Sequence, residues 1–218
     1  MPEKTPVWFF LSRRHRLAYL QVPKVASTSM RAALCLLNHP ELPRESVFSE
    51  EQLQQHREWH EMVRAETASL RGFFRFTFVR DPLARFASFY RNKIAQVAPE
   101  SLRPRFQRMG LAAGMPIDSV LDVIERIPSD QLDPHLVPQS HLVFAGKKPR
   151  VDFIGRVEQF DEGLREIERR SGITLEIQRL NATAPKAATD SDMEYSAEIR
   201  ARIARIYEED LRRLDYPG

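Results

Sequence analysis

Two stretches in the first half of the chain each run from an apolar segment through a tight turn into a helix start. The first is Leu17–Val22 followed by Pro23, Lys24, Val25, Ala26, Ser27, Thr28 and Ser29. The second is Phe73–Val79 followed by Arg80, Asp81 and Pro82. A strand that feeds a helix must cross back before the next strand can pair, and repeating that unit builds a parallel sheet with helices on its faces. The expected class is therefore α/β, with a mostly parallel central sheet flanked by helices.

The rest of the pattern fits this class. Asp81 and Pro82 read as an N-cap followed by proline at the first helical position. Leu83, Phe86, Ala87, Tyr90 and Ile94 then recur at helical spacing, with Arg85, Ser88 and Asn92 opposite, which leaves Ser88 free to meet a ligand or water. Thr28 to Asn38 reads as a helix capped by Ser27 or Thr28. Ser49 to Gln52 resembles a capping box and opens a polar helical stretch to about Leu70. Residues 97–116 are irregular and basic, with Arg103, Arg105 and Arg108. Ile117 to Ile127 is a short helix, Pro128 to Pro138 a proline-punctuated loop, and Val151 to Gly155 a buried strand. Phe160, Leu164 and Ile167 mark the next helix. A second capping box, Ser191 to Glu194, leads a terminal helix with Ile199, Ile203, Ile206 and Leu211 inward.

At 218 residues, 42% hydrophobic and 29% charged, the chain suits one soluble globular domain, 1–218, with a short N-terminal extension over 1–15. Its 33 basic and 30 acidic residues nearly balance, which weighs against a nucleic-acid module despite a pI of 9.2. The single cysteine, Cys35, falls among Met30, Ala33, Leu34 and Leu37 and reads as a buried structural thiol. One thiol and no leader point to the cytoplasm. The apolar run Val7–Leu11 is too short for a signal core or a membrane span. No metal-ligand cluster is evident.

Both junctions suit anions. A turn that opens a helix aims main-chain N–H groups at one point, and the helix dipole favours negative charge there. Lys24 adds a full charge, and Ser27, Thr28 and Ser29 add hydroxyl donors. Two such junctions side by side would hold a ligand with two separate anionic groups, such as a nucleotide phosphorylated at both ends of its ribose. A Walker A loop is absent, and no glycine lies between residues 12 and 71.

Together the motifs resemble the 5′-phosphosulfate loop and the 3′-phosphate segment of the sulfotransferase superfamily, which uses 3′-phosphoadenosine 5′-phosphosulfate (PAPS). The order of four elements is similar to the carbohydrate branch that includes the chondroitin and HNK-1 enzymes. These are the Lys24 loop, Phe78–Pro82 with Ser88–Lys93, Asp133–Gln139, and Val151–Glu158. The resemblance covers roughly residues 16 to 215 and implies a P-loop-like three-layer fold. It implies Lys24, Ala26, Ser27, Thr28, Ser29, Arg80 and Ser88 as donor-binding residues. Arg156, Glu158, Asn181 and Lys186 resemble positions that border the cofactor. The implied acceptor is a hydroxyl of a saccharide or glycolipid, with no metal. The chain departs from the pattern at Ala26, where many relatives have glycine, and at Leu136, where an aromatic residue is common. The membrane anchor of the Golgi relatives is missing, which suggests a soluble, bacterial-like form.

Sulfuryl transfer needs an in-line hydroxyl, a proton acceptor and stabilisation of the leaving phosphate. Lys24 suits the last role. In several sulfotransferases the catalytic histidine precedes the 3′-phosphate arginine by 20 to 24 residues; His60 precedes Arg80 by 20 and His56 by 24. The two are i, i+4 partners and would share a helix face. Glu61 and His135 are the other candidate bases, while His15 and His39 read as bystanders. Two different classes remain open: a nucleotide kinase-like phosphotransferase, and a non-catalytic anion or nucleic-acid binding module.

Overall fold

The computed structural model describes residues 7–43, 50–55, 59, 61–64, 70–177 and 195–217. The chain begins with strands β1 (Trp8–Ser12) and β2 (Leu17–Leu20), helices α1 (Ser27–Asn38) and α2 (Glu50–Gln55), and strands β3 (Glu61–Arg64) and β4 (Phe74–Val79). Helices α3 (Pro82–Tyr90), α4 (Pro104–Arg108), α5 (Ile117–Glu125) and α6 (Gln139–Val143) follow. The short strands β5 (Phe144–Ala145) and β6 (Lys148–Pro149) precede β7 (Phe153–Arg156), and helices α7 (Phe160–Ser171), α8 (Ala197–Ile206) and α9 (Glu208–Arg213) complete the order. The chain forms two compact units, residues 1–79 with 142–185, and residues 80–141 with 186–218. Among the described residues no helix is long and apolar enough to cross a membrane.

The first unit is built on a five-stranded sheet in the order β3-β1-β2-β4-β7. Strands β2, β4 and β7 pair in parallel, while β1 runs antiparallel to both β2 and β3, so four strands share one direction. This is the mixed α/β, mostly parallel, helix-flanked sheet that the sequence implies. Residues 8–12, placed by sequence in a short N-terminal extension, form β1 between β2 and β3.

Both faces of the central part of the sheet are buried. Phe10, Tyr19 and Phe76 are register partners on one face, and Phe78 follows on the same side. There Arg31 of α1 stacks over the Phe10 ring at 5.1 Å, and Phe160 of α7 meets Phe78 at 4.6 Å between centroids. Phe9, Leu11, Ala18, Leu20 and Thr77 point the other way and are also buried. A strand buried on both sides loses the polar–apolar alternation of a half-exposed one, which is why Leu17–Leu20 reads as a continuous apolar run.

Two glycines fix how α7 approaches the sheet. A Cβ at Gly163 would sit 2.5 Å from the Phe78 ring, and one at Gly155 would sit 2.6 Å from it. Neither gap admits a methyl group beside a fully buried ring. Gly163→Ala should therefore destabilise the protein by about 1–3 kcal/mol through overpacking, read as a lower urea midpoint; an unchanged midpoint would show that the ring can move aside. Elsewhere in this unit Cys35 is buried with Ala32 and Leu53, as its helical spacing indicates.

The second unit centres on α3. Asp81 is its N-cap, with the side chain accepting the Ala84 N–H at 2.8 Å and Pro82 in the first turn. A π-helical turn, Arg91–Ala95, continues α3 and buries Ile94. Helix α8 is capped by Ser196, whose Oγ accepts from the Ile199 N–H at 3.3 Å. Its Arg202 reaches Asp122 and Glu125 of α5.

Several sequence expectations are corrected. The polar helix expected from Ser49 to Leu70 is short, since β3 occupies Glu61–Arg64; that edge strand is mostly exposed and carries no apolar alternation to announce it. The third parallel strand lies at Phe153–Arg156, two residues later than its start in sequence. Neither Ser27 nor Thr28 caps α1, because Ala26 holds the cap position. Arg85 and Ser88 are buried, so the polar side of α3 is not a solvent face. The box Ser191–Glu194 lies outside the described residues.

Candidate active site

Lys24 and Ala26 both adopt left-handed backbone, with φ of 71° and 60°. A non-glycine residue held there costs free energy and persists only where its surroundings demand it. The departure at Ala26 thus falls on a position where glycine is the unstrained choice. Alanine has no side-chain acceptor, and no cap side chain binds the N–H groups that open α1. Ser27, Thr28 and Ser29 occupy the first turn of α1. Ser29 is buried, while Lys24, Ala26, Ser27 and Thr28 are partly exposed.

Strand β4 lies directly beside β2, and the Thr77 hydroxyl donates to the Leu20 carbonyl at 2.7 Å. The carboxyl ends of β2 and β4 are therefore neighbours, and Arg156 ends β7 opposite Val79. In open α/β sheets ligands bind outside the carboxyl ends of the strands.

In the second unit, Arg80 follows Val79 and is partly exposed. Its main chain is held by the Gln139 carboxamide, which accepts from the Arg80 N–H at 3.0 Å and donates to the Arg80 carbonyl at 2.8 Å. Ser88 lies two helical turns further along α3 and is 6% exposed.

The Asp133–Gln139 segment is a largely buried loop, three of whose carbonyls accept hydrogen bonds from side chains. Arg85 donates to the Val137 and Pro134 carbonyls at 2.9 and 3.1 Å, and the Tyr207 hydroxyl donates to the Leu136 carbonyl at 2.9 Å. Burial pushes the Arg85 guanidinium down from its ordinary value, against the opposing effects of Tyr207 and Asp210. Leu136 is fully buried, so its departure from an aromatic residue is felt in the core.

His135 stands out on this loop. Its Nδ1 lies 2.7 Å from Asp133 Oδ1, and its main-chain N–H donates to the same oxygen at 2.9 Å. Phe106 meets the imidazole edge-on at 5.9 Å, and Arg105 pairs with the other Asp133 oxygen at 3.1 Å. Burial lowers the His135 pKa, and the positive charges of Arg103 and Lys93 act the same way, outweighing Asp133. Burial alone would raise the Asp133 carboxyl, but hydrogen bonds from His135 and nearby positive charge hold it below its ordinary value. The pair is thus a carboxylate and a neutral imidazole at pH 7. Nδ1–H then donates to Asp133, which leaves Nε2 as the basic nitrogen.

The other candidates divide. His56, His60, Asn181 and Lys186 lie outside the described residues. Glu61 is engaged by Arg13 at 2.6 Å in an exposed ion pair. His15 meets Ser12 in the β1–β2 turn, and His39 meets Glu41 after α1. Among the described residues no group of three or more histidine, cysteine or acidic side chains is disposed to hold a metal. Sequence reasoning missed the partners of the loop, namely Arg85, Tyr207 and Asp210. The available signal was Asp210 alone, which lies seven residues after Ile203 and four after Ile206 on an otherwise apolar stripe, whereas Arg85 sits on the polar side of α3.

No curated protein and no solved structure matches the chain. The family model described as "Sulfotransferase family" matches residues 8–217, a span that takes in both strand-to-helix junctions, the His135 loop and the last helix. The chain belongs to the sulfotransferase family.

Proposed function

We propose that this protein transfers a sulfuryl group from PAPS to a hydroxyl of a carbohydrate or glycolipid. What carries the reading is the adjacency of β2 and β4 as parallel strands, so that the Lys24 loop and the Arg80 segment issue from neighbouring carboxyl ends of one sheet. In this reading Lys24 and the first turn of α1, Ala26 to Ser29, bind the 5′-phosphosulfate. Arg80 and Ser88 bind the 3′-phosphate, and Arg156 and Lys186 border the nucleotide.

The acceptor oxygen attacks sulfur in line as the bond from sulfur to the 5′-phosphate oxygen breaks. The hydroxyl proton passes to a base, and 3′-phosphoadenosine 5′-phosphate leaves. Negative charge grows on the leaving oxygen, where the Lys24 ammonium does most for the rate. His135 suits the base role because Asp133 fixes its tautomer. His60 and His56 remain candidates by their spacing from Arg80.

With labelled PAPS and a panel of hydroxyl-bearing saccharides, label should appear in the saccharide. Phosphate transfer from ATP without sulfate transfer would overturn the reading in favour of a kinase. Tight, salt-sensitive binding to duplex DNA with no affinity for 3′-phosphoadenosine 5′-phosphate would favour a binding module.

The Asp133–His135 pair also makes a pH prediction. The folded state favours the neutral imidazole, so its contribution to stability is fully present above the ordinary histidine value of 6.5 and is lost as pH falls through the lowered folded value. Asp133, also lowered, loses its contribution at still lower pH. The urea midpoint should stay level from pH 8 to about 6.5 and fall below it, and His135→Gln should remove the first part of that fall. An identical acid profile in the variant would show that His135 does not titrate in this way.

A further inference from the structure

Gln139 and Asp210 form a buried relay that ends on the main chain of Arg80. Both residues are fully buried. The Gln139 carboxamide meets the two polar groups of the Arg80 backbone at once, accepting at 3.0 Å and donating at 2.8 Å. Only one orientation of the amide does this, since the flipped amide would set oxygen against oxygen and nitrogen against nitrogen. Arg80 has left β4 and has not entered α3, so neither element supplies these bonds. The glutamine side chain pairs with it as a neighbouring strand would.

Asp210 fixes the glutamine in turn. Its Oδ2 accepts the Gln139 N–H at 2.8 Å and lies 3.4 Å from Gln139 Nε2, and its Oδ1 accepts the Ser140 N–H at 2.7 Å. A buried carboxylate demands such donors. Here they are the opening N–H groups of α6, so the orientation of Gln139 is set from both its ends.

We propose that Gln139, anchored by Asp210, is a positioning residue that fixes the Arg80 backbone so that the Arg80 guanidinium is presented to the 3′-phosphate of the donor. The proposal rests on the reading of Arg80 given above. A long arginine side chain gains a charge-assisted contact only if its root is immobile, because a wandering backbone spends binding energy on ordering.

The test is calorimetric titration of the full chain with 3′-phosphoadenosine 5′-phosphate and with adenosine 5′-phosphate, for the parent, Gln139→Met, Arg80→Ala and the double variant. Met keeps the volume and removes both hydrogen bonds; Gln139→Asn, one methylene shorter and still polar beside Asp210, serves if the Met variant does not fold. The parent should prefer the 3′-phosphorylated ligand. The Gln139 variant should lose about tenfold of that preference, the scale of a displaced charge-assisted hydrogen bond. It should lose nothing further when Arg80 is already alanine. Equal weakening toward both ligands, or an undiminished loss in the Arg80→Ala background, would overturn the positioning role. A parent protein with no preference between the ligands would instead overturn the donor reading.

Discussion

Lys24→Ala should lower turnover by about 10²–10³-fold, the cost of removing one preorganised group from a developing oxyanion, while 3′-phosphoadenosine 5′-phosphate still binds. The backbone supports reading this result as chemistry. Lys24 already sits at φ 71°, a conformation set by the turn, and Ala26 shows that alanine is accommodated at φ 60° two residues on. The variant should therefore fold with the loop path intact. Single-turnover measurement of sulfate transfer, beside calorimetric binding of the product nucleotide, separates the two effects. Normal turnover would end the assignment of Lys24 to the leaving group. Lost binding with normal turnover at saturation would assign it to uniform ground-state attraction.

The largest expected effect on stability is at Asp210. Its carboxylate is fully buried, accepts the N–H groups of Gln139 and Ser140, and attracts the buried Arg85. Asp210→Ala would strand those donors and leave the Arg85 guanidinium without its neighbouring negative charge. Stranding two buried main-chain donors costs about 1–3 kcal/mol each, and removing a charge that favours the buried Arg85 cation adds to it, so the loss should reach about 3–5 kcal/mol, a large part of the roughly 5–15 kcal/mol that holds a typical domain together. The urea midpoint should fall steeply, with loss of protection in α3 and α6 measured by hydrogen exchange. A loss below about 1 kcal/mol, the scale of a surface pair, would mean that water replaces the carboxylate and that the relay is not structural.

These residues mark the boundary of what the sequence reveals. Asp81-Pro82 announces α3 because capping chemistry is local: an aspartate oxygen, an N–H three residues on and a proline that needs no partner. The alternation of Phe74, Phe76 and Phe78 announces a strand by its period of two, and Leu17–Leu20 does so as a short apolar run ended by a turn. The Lys24 loop is legible for the same local reason, as residue types at a strand-to-helix turn. Edge strand β3 is not, since Glu61, Met62 and Arg64 face water and leave no periodic trace. Arg85 misleads for the opposite reason. Its place on the polar stripe of α3 suggests solvent, yet its guanidinium is consumed by carbonyls of a loop some fifty positions later, at Pro134 and Val137. Gln139 and Asp210 depend on a pairing across 71 residues that no local pattern encodes. His135 is intermediate: the histidine and Asp133 are visible two residues apart, but which imidazole nitrogen is left basic follows only from the hydrogen bond to Asp133.

The donor can be tested without knowing the acceptor. Calorimetric titration of the full chain with 3′-phosphoadenosine 5′-phosphate and with ADP puts one phosphate in question, since the two ligands differ in where the second phosphate sits. The 3′-phosphorylated ligand should bind at least about tenfold tighter, a difference of roughly 1.4 kcal/mol, and Arg80→Ala should erase most of that margin. Equal affinities, or tighter binding of ADP, would contradict a donor gripped at both ends of its ribose, and with it the assignment of sulfate as the transferred group.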